Sequence, residues 1–247
     1  MTGEIRLQLD GHVALLTLAA PERRNSFVTE MVHELLAACD EIDRNQDVGA
    51  VVVRALGASF CSGAHRDVLA GAGKDPARPD NYEALTLTYR AFTRVGELLP
   101  PTIAAVRGHA VGAGVNLMMA TDLRIIAETA RILSGFARIG LHPGGGHFQL
   151  LSRVAGRETA AGLGVFAQEI DGRRAAALGL AWEALPEAEV EPRAIEIAAT
   201  VAADPELSRA TARSFRAELG PPAVPWLAAL EMEKGVQMWS LRRRAPD

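Results

Sequence analysis

A short apolar strand, a turn of small residues and a helix follow one another three times along this chain of 247 residues. The strands are of the buried type, and the turns are built from Gly, Ala and Ser. Buried strands that alternate with helices predict an α/β fold. The three units are Ala50–Val53 leading to Ser62-Gly63-Ala64, Thr102–Val106 leading to Gly112-Ala113-Gly114, and Arg131–Leu133 leading through Gly140 to Gly144-Gly145-Gly146.

The region before these units predicts a hairpin and then a helix. Residues Ile5–Leu9 alternate between apolar and polar, Asp10-Gly11 is a typical turn pair, and Val13–Leu18 has the pattern of a buried strand. Apolar residues then recur on one helical face, which predicts an amphipathic helix that covers a sheet. These residues are Val28, Val32, Leu35, Cys39 and Ile42.

Two further segments differ in character from the repeated units. Gly71 to Asp80 is polar and rich in Gly and Pro, which predicts a mobile surface loop. After about Leu185 the pattern becomes helical, over Ala194–Ala203, Leu207–Leu219 and Pro225–Met238. We therefore expect a core over residues 1–185 and a helical C-terminal subdomain over 186–247, with further core helices of a single domain as the alternative.

Charge and cysteine content limit the classes of binding partner and the cellular compartment that we expect. A formal net charge of −4 gives no general electrostatic reason to bind nucleic acid or an anionic membrane. Cys39 and Cys61 are far apart, which suits a reducing compartment better than a disulfide framework. No run of eighteen apolar residues and no N-terminal targeting pattern are seen, so we expect a cytoplasmic protein without nucleic-acid or membrane partners.

The glycine-containing turns point to a site for developing negative charge. Such turns expose main-chain N–H groups, and a helix that begins there adds the positive end of its dipole. Two turns that face one another form an oxyanion hole. For any single turn, backbone geometry alone is the more common explanation.

Five segments, taken in order, resemble the crotonase (enoyl-CoA hydratase/isomerase) family over nearly the whole chain. The order and number of these segments make the resemblance much more specific than any one of them. They are Pro21–Ser26 (PERRNS), Phe60–Ala64 (FCSGA), Pro101–Gly114 continuing to Ile125, Phe136–Gly146 (FARIGLHPGGG) and Gly172–Leu180.

The resemblance implies a ClpP/crotonase-like superhelix of stacked ββα units, with a helical C-terminal trimerisation region and a homotrimer or hexamer. It implies an acyl-CoA thioester as substrate, with coenzyme A as part of that substrate and no separate cofactor. The N–H groups of Ala64 and Ala113 then bind the thioester oxygen. The main chain around Arg24 contacts the CoA nucleotide, and Ser26 of the first segment and Ser62 of the second are further candidates for binding CoA.

Arginine side chains are the candidates for the phosphates of CoA. Arg24 and Arg66 lie beside the first two signatures, and a guanidinium pairs with phosphate oxygens in a bidentate way. A solvated surface position is the alternative for both.

The chain departs from the family pattern at its acid and base positions. Hydratases of the family carry glutamates where this chain has Asn116 and Phe136, and some isomerases carry an acid where it has Gly144. An amide and a phenyl ring transfer no protons. The candidate replacements are His65, Asp67 and His142.

Histidines beside tight turns have a second interpretation, because they often only hydrogen-bond the main chain. We leave this open for His142 and favour it for His147. The hypotheses are therefore an enzyme of the enoyl-CoA hydratase/isomerase type, a decarboxylase or thioester hydrolase on the same fold, or a non-catalytic acyl-CoA-binding or assembly subunit. Decarboxylation is attractive because the oxyanion hole alone stabilises its enolate.

Overall fold

The computed structural model describes residues 3–219 and 225–242. Strands and helices alternate over most of this length. The strands are β1 (Ile5–Asp10), β2 (Val13–Leu18), β3 (Ala50–Ala55), β4 (Ser59–Cys61), β5 (Thr102–Val106), β6 (His109–Val111), β7 (Leu123–Ala127), β8 (Arg131–Leu133), β9 (Glu169–Asp171) and β10 (Glu183–Leu185). The α-helices are α1 (Thr29–Arg44), α2 (Arg66–Lys74), α3 (Pro79–Gly96), α4 (Ala113–Ala120), α5 (His147–Ala160), α6 (Gly172–Ala177), α7 (Glu187–Ala202), α8 (Pro205–Glu218) and α9 (Trp226–Arg242).

The strands form two sheets, and each repeated unit contributes one strand to each sheet. The larger sheet has the order β1-β2-β3-β5-β7-β10, and the smaller has the order β4-β6-β8-β9. Each unit gives its first strand to the larger sheet and its second to the smaller, as in β3-β4-α2, β5-β6-α4 and β7-β8-α5. Apart from β1–β2 and β8–β9, neighbouring strands pair in parallel. The α/β fold of stacked ββα units with a helical C-terminal region is confirmed.

The N-terminal predictions are confirmed with a small shift. Strands β1 and β2 pair antiparallel from Ile5↔Leu18 to Asp10↔Val13, so the two-residue turn is Gly11-His12, one residue later than the Asp10-Gly11 pair. Gly11 supplies the positive φ of 57° that such a turn needs. Helix α1 buries the face that its spacing predicts.

The prediction of a mobile surface loop over Gly71–Asp80 is wrong. Helix α2 runs through Lys74 and α3 begins at Pro79, which leaves only four residues between them. Proline fits the first turn of a helix, where its missing N–H has no intrahelical partner to lose. Gly73 lies against α9, because a Cβ there would be 3.2 Å from the carbonyl oxygen of Leu241. Its lack of a side chain therefore serves close helix packing rather than mobility.

The predicted C-terminal helices are present as α7, α8 and α9. Gly220-Pro221-Pro222, which breaks the helical pattern between the last two of them in the sequence, lies outside the described residues. Helix α7 joins the main apolar core through Val190, Ala194, Ala198 and Ala202. The division of the chain at residue 185 stays a prediction. Over the described ranges, no helix combines the length and the apolarity needed to cross a bilayer.

Candidate functional site

The turns after β4 and β6 lie against one another, backbone to backbone. Strands β4 and β6 are parallel neighbours, so their carboxyl ends deliver both turns to the same place. A Cβ on Gly63 would lie 2.8 Å from the carbonyl oxygen of Val111 and 3.0 Å from the amide nitrogen of Ala113. A Cβ on Gly114 would lie 2.0 Å from the carbonyl oxygen of Cys61. Only glycine permits this approach at both positions.

Ala64 and Ala113 each present an N–H group at this junction. The parallel bridge of Phe27 with Ala64 uses the carbonyl of Gly63 and the N–H of His65, at 2.8 and 3.0 Å. In α4 the carbonyl of Gly112 is bonded by the N–H groups of Val115 and Asn116, further along the helix. Within the described residues, these backbone hydrogen bonds leave the N–H groups of Ala64 and Ala113 unused.

Asn116 lies one helical turn beyond Ala113 and is fully buried in a chain of side-chain hydrogen bonds. Its Nδ2 donates to the carbonyl oxygen of Gly144 at 3.0 Å, and its Oδ1 lies 2.6 Å from Nδ1 of His147. Nε2 of His147 lies 2.6 Å from Oγ of Ser134. Burial lowers the pKa of His147 to about 3, so the ring is neutral at physiological pH.

The main-chain role favoured for His147 is therefore wrong, because both ring nitrogens bond side chains. No local sequence pattern indicates these side-chain hydrogen bonds. Ser134 and Asn116 are 13 and 31 residues from His147, and the fold alone brings them together.

Two of the acid–base candidates, His65 and Asp67, lie at the start of α2 just after Ala64, and His142 lies two residues before Gly144. His65 caps α2, where its Nδ1 accepts the N–H of Asp67 at 3.3 Å. The carboxylate of Asp67 lies 3.5 Å from the same nitrogen, and 92% of its side chain is exposed. His142 is half-buried, and its Nδ1 donates to the carbonyl oxygen of Pro143 at 2.6 Å.

Two of the candidate CoA-binding residues, Arg24 and Ser26, lie in a loop that is held by the side-chain hydrogen bonds of Asn25. Arg24 and Asn25 adopt left-handed backbone angles, and the buried Asn25 amide bonds the main chain of Ala20, Leu56 and Ser59. The N–H of Ser62 donates to the carbonyl of Arg24 at 3.0 Å, which joins the first two signatures. Arg24 and Arg66 are exposed. Oγ of Ser26 is buried and has no hydrogen-bond partner among the described residues.

A further carboxylate, not identified from the sequence, binds the turn Gly144-Gly145-Gly146, here called the fourth turn because it ends the fourth family segment. Oε2 of Glu233 on α9 accepts the N–H groups of Gly146 and His147, at 2.9 and 3.2 Å. Burial raises the pKa of Glu233 to about 7, although these N–H donors act in the opposite direction. Nothing local marks this residue, since it follows the turn by 87 positions.

Helices α3 and α9 together cover the same turn. The indole Nε1 of Trp226 donates to the carbonyl of Gly145 at 3.3 Å, and its ring stacks on Phe92 with centroids 6.2 Å apart. Tyr89 donates to the side chain of Gln237, and burial raises its pKa strongly. The fourth turn is therefore packed on all of its glycines by large side chains.

Comparison with known proteins gives one consistent result. A family model described as enoyl-CoA hydratase/isomerase matches residues 8–237. The probable enoyl-CoA hydratase EchA14 of Mycobacterium tuberculosis is 39% identical over 218 residues, covering 88% of this chain and 83% of that protein. The 1,2-epoxyphenylacetyl-CoA isomerase of Escherichia coli is 32% identical over 196 residues, covering 78% and 74%. The crystal structure of an enoyl-CoA hydratase from Bacillus anthracis matches with a TM-score of 0.81 at 27% identity, covering 99% and 92%. The chain therefore belongs to the enoyl-CoA hydratase/isomerase family and is an acyl-CoA-processing enzyme of the hydratase/isomerase type.

Proposed function

We propose that this enzyme holds the oxygen of an acyl-CoA thioester between the N–H groups of Ala64 and Ala113 and so stabilises an enolate. The observation that carries the proposal is the meeting of two turns at which, among the described residues, the backbone hydrogen bonds leave the N–H groups of Ala64 and Ala113 unused. Ala113 is also the first residue of α4, so the helix dipole adds positive potential at that donor. Preorganised donors of this kind are worth about 3 kcal/mol each in a transition state.

Proton transfer in this site does not use the two positions at which related hydratases carry glutamates. Both ends of the Asn116 amide are engaged in hydrogen bonds, and the ring of Phe136 packs edge-on against His147 with centroids 5.1 Å apart. His65 is the best-supported proton carrier, because it follows Ala64 directly and is only partly buried. Asp67 is almost wholly exposed, and Nδ1 of His142 is engaged by a carbonyl.

Decarboxylation is the second candidate. It requires no general base, since loss of CO₂ itself generates the enolate. The specific observation in its favour is that Asn116 is hydrogen-bonded to a neutral His147 and to a carbonyl. Among the described residues, this row of side-chain hydrogen bonds contains no carboxylate. Thioester hydrolysis has less support, because it requires an activated water.

Coenzyme A enters as part of the substrate, and no separate cofactor is needed for this chemistry. Arg24 and Arg66 are exposed for phosphate contacts, Ser62 is half-buried, and Oγ of Ser26 has no hydrogen-bond partner among the described residues. A cytoplasmic location completes the proposal.

Assembly as a homotrimer or hexamer is supported by exposed apolar side chains on the C-terminal helices, among them Leu207, Phe215, Leu219 and Leu227. From the sequence we expect this surface around Val224, Trp226, Leu227 and Leu230, but Leu230 is buried, Trp226 is partly buried against the core, and Val224 lies outside the described residues. Light scattering tests the assembly, and a stable monomer at micromolar concentration would contradict it.

A panel of CoA esters tests the reaction. The purified protein is incubated with crotonyl-CoA, a 3-enoyl-CoA, malonyl-CoA and butyryl-CoA, and the products are separated by mass. We expect isomerisation or decarboxylation to exceed hydration, and the Asn116→Glu, Phe136→Glu double variant to gain hydration of crotonyl-CoA. Efficient hydration by the unmodified protein that survives His65→Ala would contradict the proposal.

A further inference from the structure

The direction of every hydrogen bond in the Asn116 chain follows from its ends. The carbonyl oxygen of Gly144 only accepts, so the amide group facing it is Nδ2, and Oδ1 faces His147. Oδ1 also only accepts, so Nδ1 of His147 carries the proton. Nε2 is then an acceptor, and the hydroxyl of Ser134 donates to it.

A serine, a histidine and an amide in this order resemble a nucleophilic triad, but the surroundings argue against that role. Proton transfer to Nε2 would create an imidazolium in a fully buried position, beside the aromatic rings of Phe136 and Phe148. The partner at Nδ1 is an uncharged amide rather than a carboxylate. The nearby carboxyl group of Glu233 bonds the main-chain N–H of His147 and not its ring.

The hydrogen bonds among Ser134, His147 and Asn116 instead connect three segments that build the site. Asn116 belongs to α4, whose first N–H is that of Ala113. Ser134 directly follows β8, and the carbonyl of Leu133 in that strand accepts the N–H of Gly112 at 3.1 Å. Gly144 belongs to the fourth turn, and His147 is the first residue of α5.

We propose that Ser134, His147 and Asn116 form a permanently neutral positioning chain that fixes Ala113 and its N–H relative to the fourth turn. His147 is the central positioning residue and touches no reacting atom. The inference rests on the proposed function only for its effect on turnover. The direction and neutrality of the chain stand independently of the reaction.

Nitrogen-15 NMR of the ligand-free protein tests the chain without any substrate. We expect His147 as the Nδ1–H tautomer with no titration between about pH 5 and 9. The Nε2–H tautomer, or a titration midpoint within this range, would overturn the proposal. In Asn116→Asp a carboxylate faces Nδ1 and should bring the titration of His147 into the range. A ring that still does not titrate would contradict the claim that burial without a charged partner keeps it neutral.

Kinetics test the positioning role. Ser134→Ala leaves Nε2 without its donor, whereas Ser134→Thr keeps the hydroxyl. For the ester turned over best, we expect Ser134→Ala to lower kcat about tenfold or more with KM changed by less than about twofold, and Ser134→Thr to recover most of kcat. An unchanged kcat in a folded Ser134→Ala protein would refute the positioning role. If no ester is turned over, the proposed function fails while the NMR result still decides the chain.

Discussion

Replacing Glu233 by glutamine should remove a specific dependence of stability on pH. Glutamine keeps the size of the side chain and an oxygen that accepts the N–H groups of Gly146 and His147, but it does not titrate. In the folded protein burial raises the pKa of Glu233 from 4.5 to about 7. A difference of this size corresponds to about 3 kcal/mol between the two protonation states.

The direction in which stability changes with pH depends on whether the folded or the unfolded state holds the proton of Glu233. Between 4.5 and about 7 the folded protein keeps the carboxyl of Glu233 protonated while the unfolded chain has lost that proton. The contribution of this group to the free energy of unfolding is therefore fully present below 4.5 and is lost as the pH rises to about 7. His147 acts in the opposite direction, since its folded pKa is lowered, but both proteins carry it and its effect cancels.

Urea unfolding of the wild type and Glu233→Gln at about pH 5 and pH 8 measures the effect. Relative to the variant, the wild type should lose up to about 3 kcal/mol between the lower and the higher pH. Glu231→Gln is the matched control on the same helix, because Glu231 is exposed and its pKa is lowered by Lys234. Equal pH dependence in the wild type and Glu233→Gln, or a wild type that gains stability relative to the variant at the higher pH, would refute the reasoning.

Three further outcomes are expected. Ala113→Pro, which deletes one N–H donor, should lower turnover at least about 100-fold in a folded protein, whereas Ala113→Gly keeps the donor and most of the activity; steady-state kinetics compare them. His65→Ala should abolish the native reaction but leave acyl-CoA binding intact by calorimetry, and loss of binding would assign His65 a different role. Gly114→Ala should cost more than about 3 kcal/mol in urea unfolding, because its Cβ would lie 2.0 Å from the carbonyl oxygen of Cys61, while Gly162→Ala, with open space around it, should cost less than about 1 kcal/mol.

Local patterns were sufficient to predict much of the fold. The alternation of β1, the apolar run of β2 and the helical spacing of α1 each depend on neighbouring residues, and each is confirmed. Strands β4 and β6 have three residues each, too few for a periodic signal, so the residues alone predicted one strand per unit where the structure has two. The resemblance to the family supplied the second strand.

The features that the sequence did not predict share a cause. In each of them the deciding contact joins residues that are distant in sequence. Gly71 to Asp80 has loop composition, yet Gly73 packs against the backbone of α9 and the segment is largely helical. His147 was expected to bond the main chain, but its partners come from α4 and from the loop after β8. Glu233 lies on a helix whose contact with the fourth turn no periodicity predicts.

The proposed function depends on polarisation of the thioester carbonyl by the N–H groups of Ala64 and Ala113. The most direct measurement is the infrared carbonyl stretch of butyryl-CoA, labelled with carbon-13 at that carbonyl and bound to the wild type, Ala113→Gly and Ala113→Pro. We expect a shift to lower frequency on binding to the wild type and Ala113→Gly, and a much smaller shift in folded, ligand-bound Ala113→Pro. An unshifted carbonyl in the wild type, or an equal shift in Ala113→Pro, would contradict the proposed function.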